Sequence, residues 1–159
     1  MKKLFLIRHA KSGWDNPALK DIERPLNERG YTNANEMSLQ LKATPDLIIT
    51  SPAIRAMSTA LIFARNLNYN FNNIVIKQEL YDTNVKDYLS VLHSIDNQIK
   101  TVLLFAHNPI ISDFANSLTK DLPMEMPTCA IAGISFNINE WKEIKLKIGE
   151  LFLFDYPKK

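Results

Sequence analysis

Two arginines and two histidines carry the chemistry that this sequence offers. They stand where three apolar runs stop: Leu6-Ile7-Arg8-His9-Ala10, Ile49-Thr50-Ser51-Pro52-Ala53-Ile54-Arg55 and Leu104-Phe105-Ala106-His107-Asn108-Pro109. In an open α/β sheet, residues just past the carboxyl ends of neighbouring strands meet in one crevice. Such a set, with no carboxylate cluster beside it, suits a phosphoryl group, which carries about two negative charges and spreads charge over its equatorial oxygens as it transfers. Arg8 and Arg55 can fork onto separate oxygens, whereas lysines act only as point charges. The nucleophile is then a histidine. A neutral imidazole whose N–H is held by a backbone carbonyl turns its other nitrogen to the phosphorus. His9, beside Arg8, fits that part, and His107 fits a donor to a phosphate oxygen. The parts of rival mechanisms (HExxH, GxxxxGK[ST], CxxC) are missing from the chain.

Alternating strands and helices must position these groups. Lys3 to Ile7 is short, apolar and sharply ended, and reads as a buried strand. A polar loop from Ala10 to Arg24 leads to a helix with Asn27 as N-cap and Ala34, Met37 and Leu41 at helical spacing, ended by Pro45. Leu47 to Thr50 is a second strand. Ser51 as N-cap and Pro52 at the first helical position open the next helix, with the stripe Ile54, Met57, Leu61 and Ala64. The asparagine-rich turn from Asn66 to Asn73 separates it from a third strand, Ile74 to Lys77. Val85 to Ile95 is amphipathic, with Tyr88, Leu89, Leu92 and Ile95 inward and His93 an ordinary helix residue. Thr101 to Ala106 is a fourth strand, and Pro109 at a first helical position opens a helix through Ile110, Ile111, Phe114 and Leu118. Ala130 to Ile138 and Ile144 to Phe154, around Asn139-Glu140, predict an antiparallel hairpin on the sheet edge. The fold class is α/β: a mixed sheet with helices on both faces, in one domain over residues 1–159.

Composition narrows the function. With 159 residues, 46% hydrophobic and 23% charged, the chain can bury a sizeable core. A net charge of +2, dispersed along the sequence, argues against nucleic acid as a partner. No apolar run approaches the roughly 20 residues of a membrane span. Leu4 to Ile7 is too short for a signal peptide, so the expectation is a cytoplasmic protein with no membrane partner. Cys129 is the single cysteine, which excludes an internal disulfide.

Arg8-His9-Ala10, Arg24-Pro25-Leu26…Gly30, Ser51-Pro52…Arg55-Ala56…Thr59 and His107-Asn108-Pro109 together resemble the histidine phosphatase superfamily, also called phosphoglycerate-mutase-like. Within it the chain looks most like the SixA-type phosphohistidine phosphatases, a similarity that Thr128-Cys129-Ala130-Ile131-Ala132 also carries. The resemblance implies a three-layer α/β/α sandwich around a mostly parallel sheet, with His9 as phosphoacceptor and Arg8, Arg55 and His107 as the phosphate pocket. It implies no cofactor and no metal. Ser12 matches a common hydroxyl position of the first loop. Arg24 matches an arginine of the SixA-like branch, with a salt bridge to Asp21 or Glu23 as its alternative role. Asn108 is the remaining expected substrate contact. Ala10 stands where the superfamily usually has Gly, a minor change unless that backbone needs positive φ.

The leaving group separates substrates. Expelling an alkoxide calls for a general acid. Asp82, in Leu80-Tyr81-Asp82, falls at the matching place, and capping the helix near Val85 is its alternative role. An imidazole leaving group, with a conjugate-acid pKa of about 6.5, needs far less help. Residues 79–87 are too few to fold over the crevice as a lid, and an open site admits a protein substrate. The expected function is therefore a metal-independent phosphatase acting on a phosphohistidine-bearing protein, such as a phosphotransfer domain. A phosphatase of small phosphomonoesters or nucleotides, and a phosphate-binding module with vestigial catalysis, are the alternatives.

Overall fold

In the computed structural model, which describes residues 1–158, the apolar runs become six strands: β1 (Lys2–Arg8), β2 (Leu47–Thr50), β3 (Val75–Ile76), β4 (Thr101–Ala106), β5 (Ile131–Phe136) and β6 (Glu150–Asp155). They form one sheet in the order β3-β2-β4-β1-β5-β6. The first four lie parallel, and β5 and β6 join antiparallel. Four helices cover the sheet: α1 (Glu28–Gln40), α2 (Ile54–Asn66), α3 (Val85–His93) and α4 (Ile110–Leu118). Met37 of α1 and Phe63 of α2 pack with Phe5, Ile7 and Phe105 on one face. Tyr88 and Leu92 of α3 and Phe114 and Leu118 of α4 pack with Leu4, Leu6 and Leu104 on the other. The result is the expected α/β/α sandwich, with the β1–β4 pair buried on both faces.

Local chemistry explains the element starts. Asn27 caps α1 by accepting from the Gly30 amide at 2.8 Å, and Asn84 caps α3 by accepting from the Asp87 amide at 3.0 Å. Asp82 is therefore not the α3 cap. Gly30 has a second duty: a Cβ there would lie 2.1 Å from the Lys11 carbonyl oxygen, because α1 presses directly on the loop after His9.

Several expectations change. Helix α2 begins at Ile54 with Ala53 as N-cap, so neither Ser51 nor Pro52 opens it as expected. Its inner face is Arg55, Ala56, Thr59, Ala60, Ile62, Phe63 and Ala64, while Ile54 and Leu61 face solvent. The helix is rotated toward the side that carries Arg55 and Thr59, at the cost of two exposed apolar side chains. Pro109 is the N-cap of α4 rather than its first helical residue. Only Val75–Ile76 of the third run pairs as strand.

The largest departure lies between β5 and β6. They pair antiparallel, with β6 on the edge, but residues 137–149 form a long connection instead of a tight hairpin. Trp141 is fully buried and donates from Nε1 to the Ile99 carbonyl at 2.8 Å, and Ile144 sinks beside it into the core under α3. Lys147 takes a left-handed φ of 62°. The Ile/Lys alternation of Ile144–Ile148 mimics a half-buried strand, yet it arises from one anchored residue followed by exposed Leu146 and Ile148.

Candidate active site

Strand order sets the site. β1 lies against β4, and β4 against β2, so the carboxyl ends of these three parallel strands open on one crevice. Arg8 ends β1 and His9 follows it; His107 follows β4; Ser51 follows β2, with Arg55 in the first turn of α2. The His9 and His107 rings are 5.2 Å apart, centroid to centroid.

His9 is fixed by main chain on every side. Its amide donates to the Ala106 carbonyl at 3.1 Å, and its carbonyl accepts from the Cys129 amide at 3.0 Å. Nδ1 lies 2.7 Å from the Ala10 carbonyl oxygen. A carbonyl only accepts, so Nδ1 carries the proton and Nε2 presents its lone pair. Burial, together with the positive charges of Arg55, Arg8 and Arg24 and against the Ala10 hydrogen bond, lowers the His9 pKa to about 4. The imidazole is neutral at pH 7, as a nucleophile must be. The next peptide is tethered too: the Ala10 amide donates to Thr59 Oγ1 at 3.0 Å, and that hydroxyl donates to the Arg55 carbonyl at 2.7 Å. Ala10 is not left-handed, so the missing glycine costs nothing.

His107 Nε2 is 2.6 Å from the Ser51 hydroxyl, which already accepts from the Ala53 amide at 3.1 Å. The Ser51 proton is therefore free to be donated to Nε2, which leaves the His107 proton on Nδ1 as a donor. Burial, with the His9 and Arg55 charges, pushes the His107 pKa down to about 3. Ser51 reads from sequence as a helix cap; in the fold it orients a histidine.

Arg8 donates to the Met126 carbonyl at 3.0 Å, and Arg24 to Ser12 Oγ at 2.5 Å with the exposed Trp14 indole stacked 3.3 Å from its guanidinium carbon. Arg55 donates to the Asp21 carbonyl at 2.7 Å and to the Asp21 carboxylate at 3.0 Å. Among the described residues, the buried side-chain nitrogens without a hydrogen-bond partner are Arg8 Nε, Arg24 Nε and Nη1, Arg55 Nε and His107 Nδ1. Unmet buried donors cost about 1–3 kcal/mol each, and a tetrahedral oxyanion has the lone pairs to satisfy such a set.

An open cleft of about 370 Å³ is lined by Asp21, Arg55, Tyr81, Asp82, His107 and Asn108. Asp82 is exposed with a φ of 51°. Asn108, expected to meet substrate, has its side chain committed within the protein. Its amide nitrogen donates to Glu125 at 3.1 Å and to the Met126 carbonyl at 2.9 Å, and its oxygen accepts from Ser112 at 2.6 Å. It thereby holds the carbonyl that Arg8 also uses. Two residues escaped the sequence reading. Asp21 bonds chiefly to Arg55 and lies only 3.7 Å from Arg24, and Tyr81 donates to its carboxylate at 2.7 Å. The spacing Asp21-x-x-Arg24 was the one available signal, and it named the weaker partner.

The comparisons supply the family and the fold. Residues 4–90 match the model of the histidine phosphatase superfamily (branch 1), and the chain belongs to that superfamily. Membership implies hydrolase activity on phosphorylated substrates. The chain is similar to the crystal structure of a candidate phosphohistidine phosphatase SixA from Agrobacterium tumefaciens, at 26% identity over 99% of both chains and a TM-score of 0.80. It shares the fold of the protein histidine phosphatase SixA solved with tungstate, at 22% identity over 97% of this chain and 96% of that one, TM-score 0.82. It also shares the fold of a mycobacterial glucosyl-3-phosphoglycerate phosphatase, at 15% identity over 96% of this chain and 97% of that one, TM-score 0.68. Among the described residues no helix is long and apolar enough to cross a membrane.

Proposed function

We propose that this protein is a metal-independent phosphatase that hydrolyses phosphohistidine in a partner protein through a phosphoenzyme on His9. The observation that carries this reading is the His9 ring itself. Its Nδ1 proton is held by the Ala10 carbonyl, the ring feels the positive charges of Arg55, Arg8 and Arg24, and each of these guanidiniums keeps a buried nitrogen without a partner. His9 Nε2 attacks phosphorus in line, the N–P bond of the substrate breaks, and Arg8, Arg55 and His107 Nδ1–H hold the equatorial oxygens. A substrate imidazole protonated on its other nitrogen departs as neutral imidazole. Water then attacks the phosphoryl group on His9, releasing orthophosphate and restoring the free imidazole. Arg24 and Ser12, hydrogen-bonded to each other, are the further proposed substrate contacts.

The openness of the cleft favours a protein substrate. One observation favours a second reading, a phosphatase of small phosphomonoesters: Asp82 lines the same cleft as His107 and does not cap α3. The likeness to a sugar-phosphate phosphatase fits that reading too. The experiment is a turnover comparison in EDTA on a phosphohistidine-bearing phosphotransfer domain, p-nitrophenyl phosphate and a panel of sugar phosphates and nucleotides. Preference for the phosphohistidine protein is expected. Preference for a sugar phosphate or nucleotide selects the second reading. Phosphate binding without any turnover makes the protein a binding module and defeats both.

A further inference from the structure

A phosphate site with unmet donors on Arg8, Arg24 and Arg55 faces a problem at the end of each cycle, because orthophosphate suits it as well as the substrate's phosphoryl group does. The Asp21 carboxylate stands at that site. It accepts from Arg55 Nη2 at 3.0 Å and from the Tyr81 hydroxyl at 2.7 Å, and the Asp21 main-chain carbonyl takes Arg55 Nη1 at 2.7 Å. The Arg55 side chain is 8% exposed and the Asp21 side chain 51%. An almost buried cation thus has an anion bonded to its outer edge, while its Nε remains unpaired.

We propose that Asp21 is a resident counter-anion of the cleft, a positioning residue that fixes the Arg55 guanidinium and holds down the affinity for orthophosphate so that product leaves. This rests on the phosphatase reading. Two anions sharing one guanidinium repel each other, and a phosphate on the Nε edge of Arg55 meets that repulsion at every step at which it is bound. That repulsion is several times larger near a partly buried site than in bulk water. Burial works against the Asp21 charge, but the Tyr81 and Arg55 hydrogen bonds and the Arg55 and Arg24 charges outweigh it and hold the carboxyl below its ordinary range. The carboxyl is therefore ionised at neutral pH. A structural ion pair would only anchor Arg55; a counter-anion in addition weakens phosphate binding, and the two roles separate on that point.

The test is the affinity for inorganic phosphate by titration calorimetry, alongside kcat and KM for the preferred substrate. Asp21→Asn keeps an oxygen acceptor for Arg55 and Tyr81 and removes the charge. It is expected to bind phosphate about tenfold more tightly and to lose kcat with a lowered KM, with stronger product inhibition. Glu23→Gln, the same charge change in the same short turn, is expected to leave phosphate affinity unchanged. Asp21→Ser retains the main-chain anchor of Arg55 and supplies the same readout should the Asn variant fail to fold. Unchanged or weaker phosphate binding in the Asp21 variants overturns the proposal, as does equal tightening in Glu23→Gln. Phosphate binding is an equilibrium that needs no substrate: a wild-type protein that binds phosphate and turns over nothing defeats the phosphatase reading instead.

Discussion

The floor of the cleft and its rim are built by different means. On the floor, His9 and Arg8 are held by main-chain groups of Ala10, Ala106, Met126 and Cys129, and β1 lies between two partner strands. On the rim, Arg24, Asp21, Tyr81 and Trp14 hold one another through side chains that rise from the loop 10–24 and the segment after β3. Main-chain anchors survive substitution of their own side chains; side-chain anchors do not. The difference teaches where each property resides. On the proposed mechanism the floor fixes which atom attacks and in which protonation state, and the rim tunes how tightly an anion is held. Substitutions below should follow that division.

His9→Ala sharpens it most. Turnover should fall by about 10⁴-fold or more, with no acid-labile phosphoenzyme trapped from labelled substrate; retained activity would move the nucleophile off the floor. Gly30→Ala comes next, since the added methyl collides with the Lys11 carbonyl just past His9. A loss of roughly 2–3 kcal/mol in urea unfolding is expected, with activity reduced as well. Acid comes third. Both histidines are held neutral, at pKa values of about 4 and about 3, below their unfolded value of about 6.5. The folded state then binds fewer protons, so stability is full above pH 6.5 and declines as pH falls toward 4. His9 alone should cost about 2 kcal/mol between pH 7.5 and pH 5. Thermal melts across that range check this, and the decline should flatten in His9→Ala. Asp82→Asn, on the rim, should change phosphohistidine hydrolysis less than about threefold. A large loss there, equal to that on a phosphomonoester, would make Asp82 part of the floor chemistry and break the comparison.

The floor was legible in the sequence because each of its residues ends an apolar run, and a strand end is a place that periodicity reveals. The fold was legible for the same reason: strands β1, β2 and β4 fall within a residue of their expected ranges. Asp21 was not legible. It lies in an irregular loop, and its main partner Arg55 is 34 residues away, joined by no spacing rule. Ser51 was misassigned because Ser-Pro is the usual opening of a helix, and only the arrival of β4 beside β2 brings His107 within reach of its hydroxyl. The segment from Trp141 to Ile148 misled for a different reason. One residue sunk into the core, Ile144, followed by Leu146 and Ile148 left outside in alternation with lysines, produces the same alternation as a strand.

The position of β1 also governs when the protein becomes competent during its synthesis. β1 is made first, yet its neighbours are β4 and β5, whose paired residues extend to Phe136. The His9 amide waits for Ala106, and its carbonyl waits for Cys129. The first strand has no place to pair until β4, and on its other edge β5, have been made. Closing contacts so distant in sequence is slow. The nascent chain must therefore carry its first strand unpaired, and the His9 main chain without its partners, until β4 and the segment before β5 have been made.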